Sequence, residues 1–195
     1  MTPKLLLPVF ALISMIALSG CQTRPADAPA PHFERAEDID RWIIDARLGY
    51  RTADDGGSAT VQWTQRPSDG HMSLSGPLGF GSATLEWKSG WAELTTSKGT
   101  FQARSPEELA WHLTGFWLPV SALTTWTRGL PWPYAPSETE YNEQGDLVSL
   151  NQLGWALTFD RYQQEAGVRL PHRIRGEQAE NRFTFIIRDW QPGAE

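Results

Sequence analysis

Cys21 is the residue of this sequence whose chemistry is most directly indicated by its neighbours. It ends the sequence Leu18-Ser19-Gly20-Cys21, in which the small residues before the cysteine let a peptidase pocket close on an extended chain. An apolar run from Leu5 to Leu18 precedes this segment. A run of this length is typical of a signal-peptide core and is short for a membrane span. Because Cys21 is the only cysteine, it has no partner for an internal disulfide. We therefore predict that residues 1–20 are cleaved and that the Cys21 thiol accepts a diacylglyceryl group.

Side chains that could form a catalytic or metal centre are sparse. The histidines stand far apart in sequence, with no His-x-x-x-His pair and no second cysteine to complete a metal site. There is no Gly-x-Ser-x-Gly elbow, and Gly79-Phe80-Gly81 lacks the third glycine and the lysine of a phosphate loop. A sheet can still bring distant carboxylates together. The sequence thus predicts no catalytic residue, no metal and no cofactor, and an enzyme is not expected.

Composition narrows the partners further. Without residues 1–20 the chain has 175 residues, enough for one sizeable core, and a net charge near −7. An acidic chain is a poor candidate for nucleic acid. The ten tryptophans suit cores, apolar cavities and membrane interfaces alike. Gln22 is not acidic, which for bacterial lipoproteins as a class indicates the outer membrane, so we expect a monomer anchored at its periplasmic face.

The rest of the chain divides into a tether and one domain. Residues 21–32 are proline-rich after the cysteine and predict an extended tether, and residues 33–195 form the domain. Helical spacing of Ile39, Trp42 and Ile43 predicts a short helix over 35–44. From Ala46 onward apolar and polar residues alternate between turn signals, which predicts antiparallel strands with one apolar face.

Two helices interrupt the strands. Ser105-Pro106-Glu107-Glu108 has the pattern of a capping box, and Pro119 opens a second stretch that ends near Gly129. Alternation then resumes, for example at Trp155, Leu157 and Phe159, and in a run from Leu170 to Ile174. The order predicts an α+β fold: one strongly curved antiparallel sheet of about ten or eleven strands, an incomplete β-barrel, with two or three helices as a lid.

Three stretches resemble the LolB family of outer-membrane lipoprotein receptors. Residues 119–131, with Pro119, Leu123, Trp126 and a closing Gly-x-Pro, resemble its helix segment. Gly76-Pro77-Leu78-Gly79 resembles its Pro-Leu-Gly hairpin, and Gly154-Trp155 and Asp189-Trp190 resemble its late strand and tail. The resemblance runs from about Trp42 to Trp190 and implies the fold predicted above.

The resemblance also implies a function. A LolB-like protein takes triacylated lipoproteins from the soluble periplasmic carrier LolA and inserts them into the inner leaflet of the outer membrane, without making or breaking a bond. It implies that Leu78 at the hairpin tip assists insertion. Phe80 departs from the family motif as a second bulky apolar residue beside the tip, and we assign both to a membrane-insertion loop.

Candidate residues for an acyl-chain cavity lie on the apolar strand faces beside the hairpin and in the helical cover: Trp63, Leu74, Leu85, Trp87, Leu113, Trp117, Leu123 and Trp126. Ordinary core packing is an equally valid interpretation, because alternation shows which face is apolar and not whether the space behind it is filled. Two alternatives for the whole protein also stay open: a lipoprotein of this shape that carries other lipids, or a scaffolding lipoprotein without a cavity.

Several arginines have two possible roles each. Arg47 either bonds carbonyl groups of the lid or points to solvent from a strand, and the second is favoured. The last strands are locally basic, which could form a docking face for an acidic partner or only solvated strand faces; the residues are Arg169, Arg173, Arg175, Arg182 and Arg188.

Overall fold

The computed structural model describes residues 31–76, 81–115 and 117–194. A 3-10 turn at Ala36–Asp38 precedes the first strand, and two α-helices, α1 (Pro106–Thr114) and α2 (Val120–Trp126), separate the sixth strand from the seventh. The strands are β1 (Trp42–Arg51), β2 (Gly56–Gln65), β3 (Asp69–Ser75), β4 (Ser82–Lys88), β5 (Trp91–Thr96), β6 (Gly99–Ala103), β7 (Ser137–Tyr141), β8 (Leu147–Gln152), β9 (Trp155–Asp160), β10 (Gln163–Glu165), β11 (Val168–Leu170), β12 (Arg173–Gln178) and β13 (Asn181–Pro192).

Eleven of these strands form one antiparallel sheet in the order β6-β5-β4-β3-β2-β1-β13-β12-β9-β8-β7, and β10 pairs only with β11. Because β6 and β7 are edges that do not pair with each other, the barrel is incomplete. The predicted α+β class, with a curved antiparallel sheet and helices on one face, is confirmed. Within the described residues, no helix is long and apolar enough to cross a membrane.

The strands of the large sheet run between two ends, which we call the tether end and the hairpin end. The tether end is where β1 begins at Trp42, opposite Gln65 of β2 and Pro192 of β13. The hairpin end is where β3 finishes at Ser75, opposite Ser82 of β4. The chain enters at the tether end, where Phe33 N–H donates to the Ala166 carbonyl at 2.7 Å.

A row of four indoles fills the interior at the tether end. Trp63 lies edge-on to Trp42 with centroids 4.7 Å apart and to Trp87 at 5.9 Å, and Trp42 contacts Trp190 at 5.4 Å. Gly70 makes this row possible: a Cβ there would lie 2.1 Å from the Trp87 ring. Since the glycine leaves that space open, Trp87 of β4 lies across β3 and reaches Trp63 of β2.

The two helices begin as the sequence predicts. Ser105 caps α1, with its hydroxyl accepting from Glu108 N–H at 3.4 Å, and Pro106 occupies the first turn. Pro119 offers α2 no side-chain cap. The Glu107 carboxylate of α1 fills this role instead, because it accepts from Ser121 N–H at 2.7 Å. This bond joins the N-terminal turns of the two helices.

The helix predicted over 35–44 is wrong. The structure has only the turn Ala36–Asp38, and β1 begins at Trp42, before the predicted start of alternation at Ala46. Trp42, Ile44 and Ala46 are buried while Ile43 is only half-buried, so the stretch follows the period of a strand. Pairing with β2 on one side and β13 on the other overrides the short helical spacing.

The two edge strands, and the run from Leu170 to Ile174, also differ from the sequence analysis. The edge strand β7 is exposed along its whole length and β6 along most of it, so neither has the apolar alternation by which strands were recognised. The run predicted from Leu170 to Ile174 is divided into β11 and β12, because His172 N–H bonds the Arg161 carbonyl at the break.

Candidate apolar binding site

On β2 and β4 the inward side chains become smaller from the tether end to the hairpin end. On β2 the inward residues are Trp63, Val61 and then Ala59, and on β4 they are Trp87, Leu85 and then Ala83. On these two strands, large side chains fill the tether end and small ones leave space at the hairpin end. Where cores are close-packed, such a gradient places any cavity at the small end.

An apolar cavity of about 50 Å³ lies at the hairpin end, beneath the C-terminal turn of α1. Its walls come from β1–β4 and α1, and they include Leu48, Ala59, Leu74, Ala83 and Leu113. A second space of about 140 Å³ adjoins it on the other side of Leu113. The first of these holds no more than a few methylene groups, so binding an acyl chain in this site requires the cover to move.

The base of the hairpin closes this end of the cavity. Gly76 N–H donates to the Gly81 carbonyl at 3.4 Å, and both glycines line the cavity. A Cβ at Gly76 would lie 2.5 Å from the Ser58 carbonyl oxygen. Glycine is therefore required for β3 to pass so close to β2 as it leaves the sheet.

The eight predicted cavity residues fall into three environments in this conformation. Leu74 and Leu113 are half-buried and line the cavity. Trp117 is 52% exposed, in the connection between the helices. The other five are packed in the core: Trp63, Leu85, Trp87, Leu123 and Trp126. The structure thus brings two of the eight to the cavity wall, and contact of acyl chains with any of them stays a prediction.

The remaining predicted site residues, Cys21, Leu78 and Phe80, lie outside the described residues. The flanking geometry is described on both sides of the hairpin, with Ser75 paired to Ser82 and Gly76 bonded to Gly81. This places the attachment of the Pro77–Phe80 segment at the cavity. Their roles in lipidation and insertion stay predictions.

Sequence reasoning missed the arginine that bonds carbonyl groups. Within the part of the chain that the structure describes, Arg47 donates to the Ser58 hydroxyl at 3.1 Å, near the surface, and not to a carbonyl group. Arg128, just after α2, donates to the Ile39 carbonyl at 2.6 Å and the Ala36 carbonyl at 3.1 Å. Burial lowers the pKa of Arg128 from its ordinary value, yet these bonds keep it in place. No sequence signal links residues so far apart; a basic residue in the turn that ends a helix is the only hint.

Most of the arginines of the last strands are ion-paired. Arg169 binds both carboxylate oxygens of Asp146 at 2.8 Å and holds the pKa of that buried carboxyl below its ordinary value. Arg173 and Arg175 both bind Asp160, and the hydrogen bond from Arg173 is the main cause of the lowered pKa of Asp160. Both clusters lie at the tether end. Their charges are largely neutralised, which favours the interpretation as strand faces over a basic docking face.

Fold and site together define a class: an incomplete antiparallel barrel with a helical cover over an apolar interior that has a cavity next to a hairpin. Solved structures of this class are similar in fold. A LolA superfamily protein from Nitrosomonas europaea superposes with a TM-score of 0.55 at 8% identity, over 84% of this chain and 89% of that one. At this identity the likeness shows the fold alone.

The sequence comparisons show the family. The family model described as "Outer membrane lipoprotein LolB" matches residues 40–190. An outer-membrane lipoprotein LolB of Ectopseudomonas mendocina is 37% identical, over 94% of this chain and 95% of its own. One from Pseudomonas paraeruginosa is 38% identical, over 83% and 79%. The chain belongs to the LolB family of outer-membrane lipoproteins, and the suspected resemblance is confirmed.

Proposed function

We propose that this protein accepts triacylated lipoproteins from a LolA-type periplasmic carrier and delivers them into the inner leaflet of the outer membrane. Membership in the LolB family supports the role of receptor. The structural observation that carries the proposal is the apolar cavity beneath α1 at the base of the Pro-Leu-Gly hairpin. Receiving cargo and releasing it are thereby assigned to adjoining parts of one end of the sheet.

Cargo enters when α1 moves away from the sheet. This helix buries only Pro106, Leu109 and Ala110, and its contacts are mainly with β4–β6 and with α2. Lifting its C-terminal turn removes Leu113 from between the two spaces and uncovers the small-residue ends of β2 and β4. An extended apolar trough then runs from the hairpin toward the indole row, which forms its closed end.

The affinity for acyl chains must be intermediate. Burial of each methylene contributes about 0.8 kcal/mol, so a deep preformed pocket would hold the chains too tightly for release. In the closed state seen here the trough is filled by the protein's own side chains. Cargo binding therefore requires loss of α1 packing, and this cost keeps the net affinity below that of the bilayer.

Leu78 assists the release step by entering the bilayer. A Glu at this position would put a charge where the tip meets lipid, at a cost of about 2.5 kcal/mol or more at acyl depth. The Leu78→Glu variant should accept lipoprotein from the carrier as the native protein does, and should fail to pass it to liposomes. Transfer of radiolabelled lipoprotein, first from carrier to receptor and then to liposomes, measures the two steps separately.

Leu153 provides the matched control. It is an exposed leucine in the turn between β8 and β9, at the same end of the sheet. Leu153→Glu should leave both steps unchanged. Normal delivery by Leu78→Glu would contradict the insertion role, and failure of both steps would show that Leu78 belongs to the cavity or the core. A native protein that takes up phospholipid but no acylated cargo would contradict the proposed function itself.

A further inference from the structure

Exposed aromatic side chains form a continuous surface at the outer edge of the cover. Phe101 of β6 is 44% exposed and Trp111 of α1 is 51% exposed. His112 lies between them, stacked on Phe101 with centroids 6.4 Å apart and edge-on to Trp111 at 5.4 Å. We call these three residues the aromatic patch. Side chains of this size are seldom left exposed together without a partner.

The patch lies toward the hairpin end of the sheet. Phe101 and His112 line the space of about 140 Å³ together with Leu113. Leu113 also lines the cavity closed by Gly76 and Gly81 at the hairpin base. The patch and the hairpin base therefore lie on either side of the trough that α1 uncovers when it lifts.

The charges of α1 are segregated away from the patch. Glu107 and Glu108 lie in its first turn, while its last turn has His112 and no acidic residue. Lys98, in the turn before β6, lines the same space as the patch. Aromatic rings with an adjacent lysine are characteristic of protein surfaces at the headgroup level of a membrane, where a lysine stem also lies along apolar surface with its charge in water.

The length of chain before the domain permits this surface to reach the membrane. Pro31 lies at the tether end, since a Cβ at Gly193 would be 3.1 Å from the Pro31 Cβ. The ten residues from Cys21 to Pro31 span at most about 33–36 Å. The five-residue advance along β1 from Trp42 to Arg47, which is level with Ser75 through Thr60 of β2, is about 17 Å. An anchored Cys21 thus allows the hairpin end to face the same leaflet.

From these observations we propose that the aromatic patch is a second membrane contact, lying in the headgroup region of the leaflet while the hairpin enters it. This inference rests on the proposed function and assigns the orientation of the protein during delivery. With a contact on either side of the trough, the trough faces the bilayer and released acyl chains do not cross water.

The test uses the mature lipid-anchored protein in phosphatidylethanolamine–phosphatidylglycerol liposomes that contain a photoactivatable phospholipid. Peptide mass spectrometry then locates the lipid adducts. We expect adducts at Phe101 and Trp111 as well as in the segment containing Leu78. Tyr141 is the internal control, because it is 55% exposed but lies at the tether end on the opposite edge strand; it should be labelled severalfold less.

A Trp111→Gln variant supplies the functional arm. Trp111 is exposed and lines neither of the two spaces beneath the cover, so the urea unfolding midpoint and acceptance from the carrier should be unchanged, while delivery to liposomes should slow by severalfold. Tyr141→Gln should deliver normally. Adducts at Leu78 without adducts at the patch would overturn this inference and leave the proposed function standing. Cross-linking of the patch to the carrier, with acceptance lost in Trp111→Gln, would overturn it in favour of a protein interface.

Discussion

The tether end and the hairpin end of the sheet are built in opposite ways. The tether end holds the indole row, the Arg128 bonds to Ala36 and Ile39, and both arginine–aspartate clusters. The hairpin end has alanine on the inward faces of β2 and β4, glycine at the hairpin base, a cavity and an exposed aromatic surface, although Trp155 packs on Phe183 farther along the same end. The tether end is therefore closely packed, while the part of the hairpin end formed by β1–β4 keeps space beneath the cover. A receptor that must both hold cargo and release it needs this difference, because a uniformly packed interior has no room for cargo.

The largest effect should come from the indole row. Trp63 is 1% exposed and contacts two other indoles, so Trp63→Ala should lower the free energy of unfolding by about 3–5 kcal/mol. Trp111→Ala removes the same side chain from the exposed patch and should cost about 0.5 kcal/mol or less. Urea unfolding followed by far-UV circular dichroism measures both. Equal costs would contradict the distinction between a closely packed tether end and a hairpin end with space beneath the cover.

Arg128 should come next. Replacement by Met keeps much of the stem but removes the donors to the Ala36, Ile39 and Thr124 carbonyl groups, and we expect a loss of about 1–3 kcal/mol. Hydrogen exchange should rise in residues 33–41, which these bonds hold against the turn after α2. Arg47→Met, which loses only an exposed bond to Ser58, is the control. If hydrogen exchange rises equally across the hairpin end, Arg128 does not act locally, and its bonds do not distinguish the tether end from the hairpin end.

A strand or helix could be predicted from the sequence where local contacts determine it, and could not where contacts with distant residues do. The curved antiparallel sheet and both helices could be predicted because alternation and caps are local signals. The edge strands β6 and β7 could not, because an exposed strand has no apolar face to alternate. The start of β1 was misassigned since its neighbours β2 and β13, distant in sequence, decide its conformation.

The candidate site likewise has features that local sequence shows and features that depend on contacts between distant residues. The decline in size from Trp63 to Ala59, and from Trp87 to Ala83, is readable in the sequence and would have placed the cavity at the hairpin end. That Trp63 and Trp87 contact each other depends on the space above Gly70, which only the sheet register reveals. The Arg128 bonds and the Glu107 cap of α2 join elements that no spacing rule connects.

A smaller effect is expected at acid pH, and at the tether end first. Asp146 and Asp160 have pKa values below the ordinary value because arginines donate hydrogen bonds to them. Stability from such a carboxyl is present above the unfolded-state pKa of about 3.9 and is lost as the pH falls through the folded-state value. The free energy of unfolding should therefore be nearly constant from about pH 7 to 5 and fall below about pH 4.

Asp146→Asn should reduce this acid dependence and cost on the order of 1 kcal/mol at pH 7, since Arg169 is partly exposed. Asp54→Asn, in the exposed turn between β1 and β2, is the control at the hairpin end. Hydrogen exchange near pH 4 should rise around β8 and β11 before it rises around α1. The opposite order would mean that the hairpin end, and not the ion pairs, determines acid stability.

The smallest effect on stability, and the most specific effect on binding, should come from filling the cavity. Ala83 is buried and lines the cavity, so Ala83→Val places two methyl groups in space that is already empty. We expect a change of about 0.5 kcal/mol or less in the free energy of unfolding. Ala92→Val makes the same change at a fully buried site on β5, opposite Trp87 at the tether end, where overpacking should cost about 1–3 kcal/mol. Binding of an apolar fluorescent probe, with displacement by acylated peptide, should weaken in Ala83→Val and persist in Ala92→Val. If the two variants bind equally, acyl chains do not occupy the hairpin end and the trough must be sought elsewhere beneath the helices.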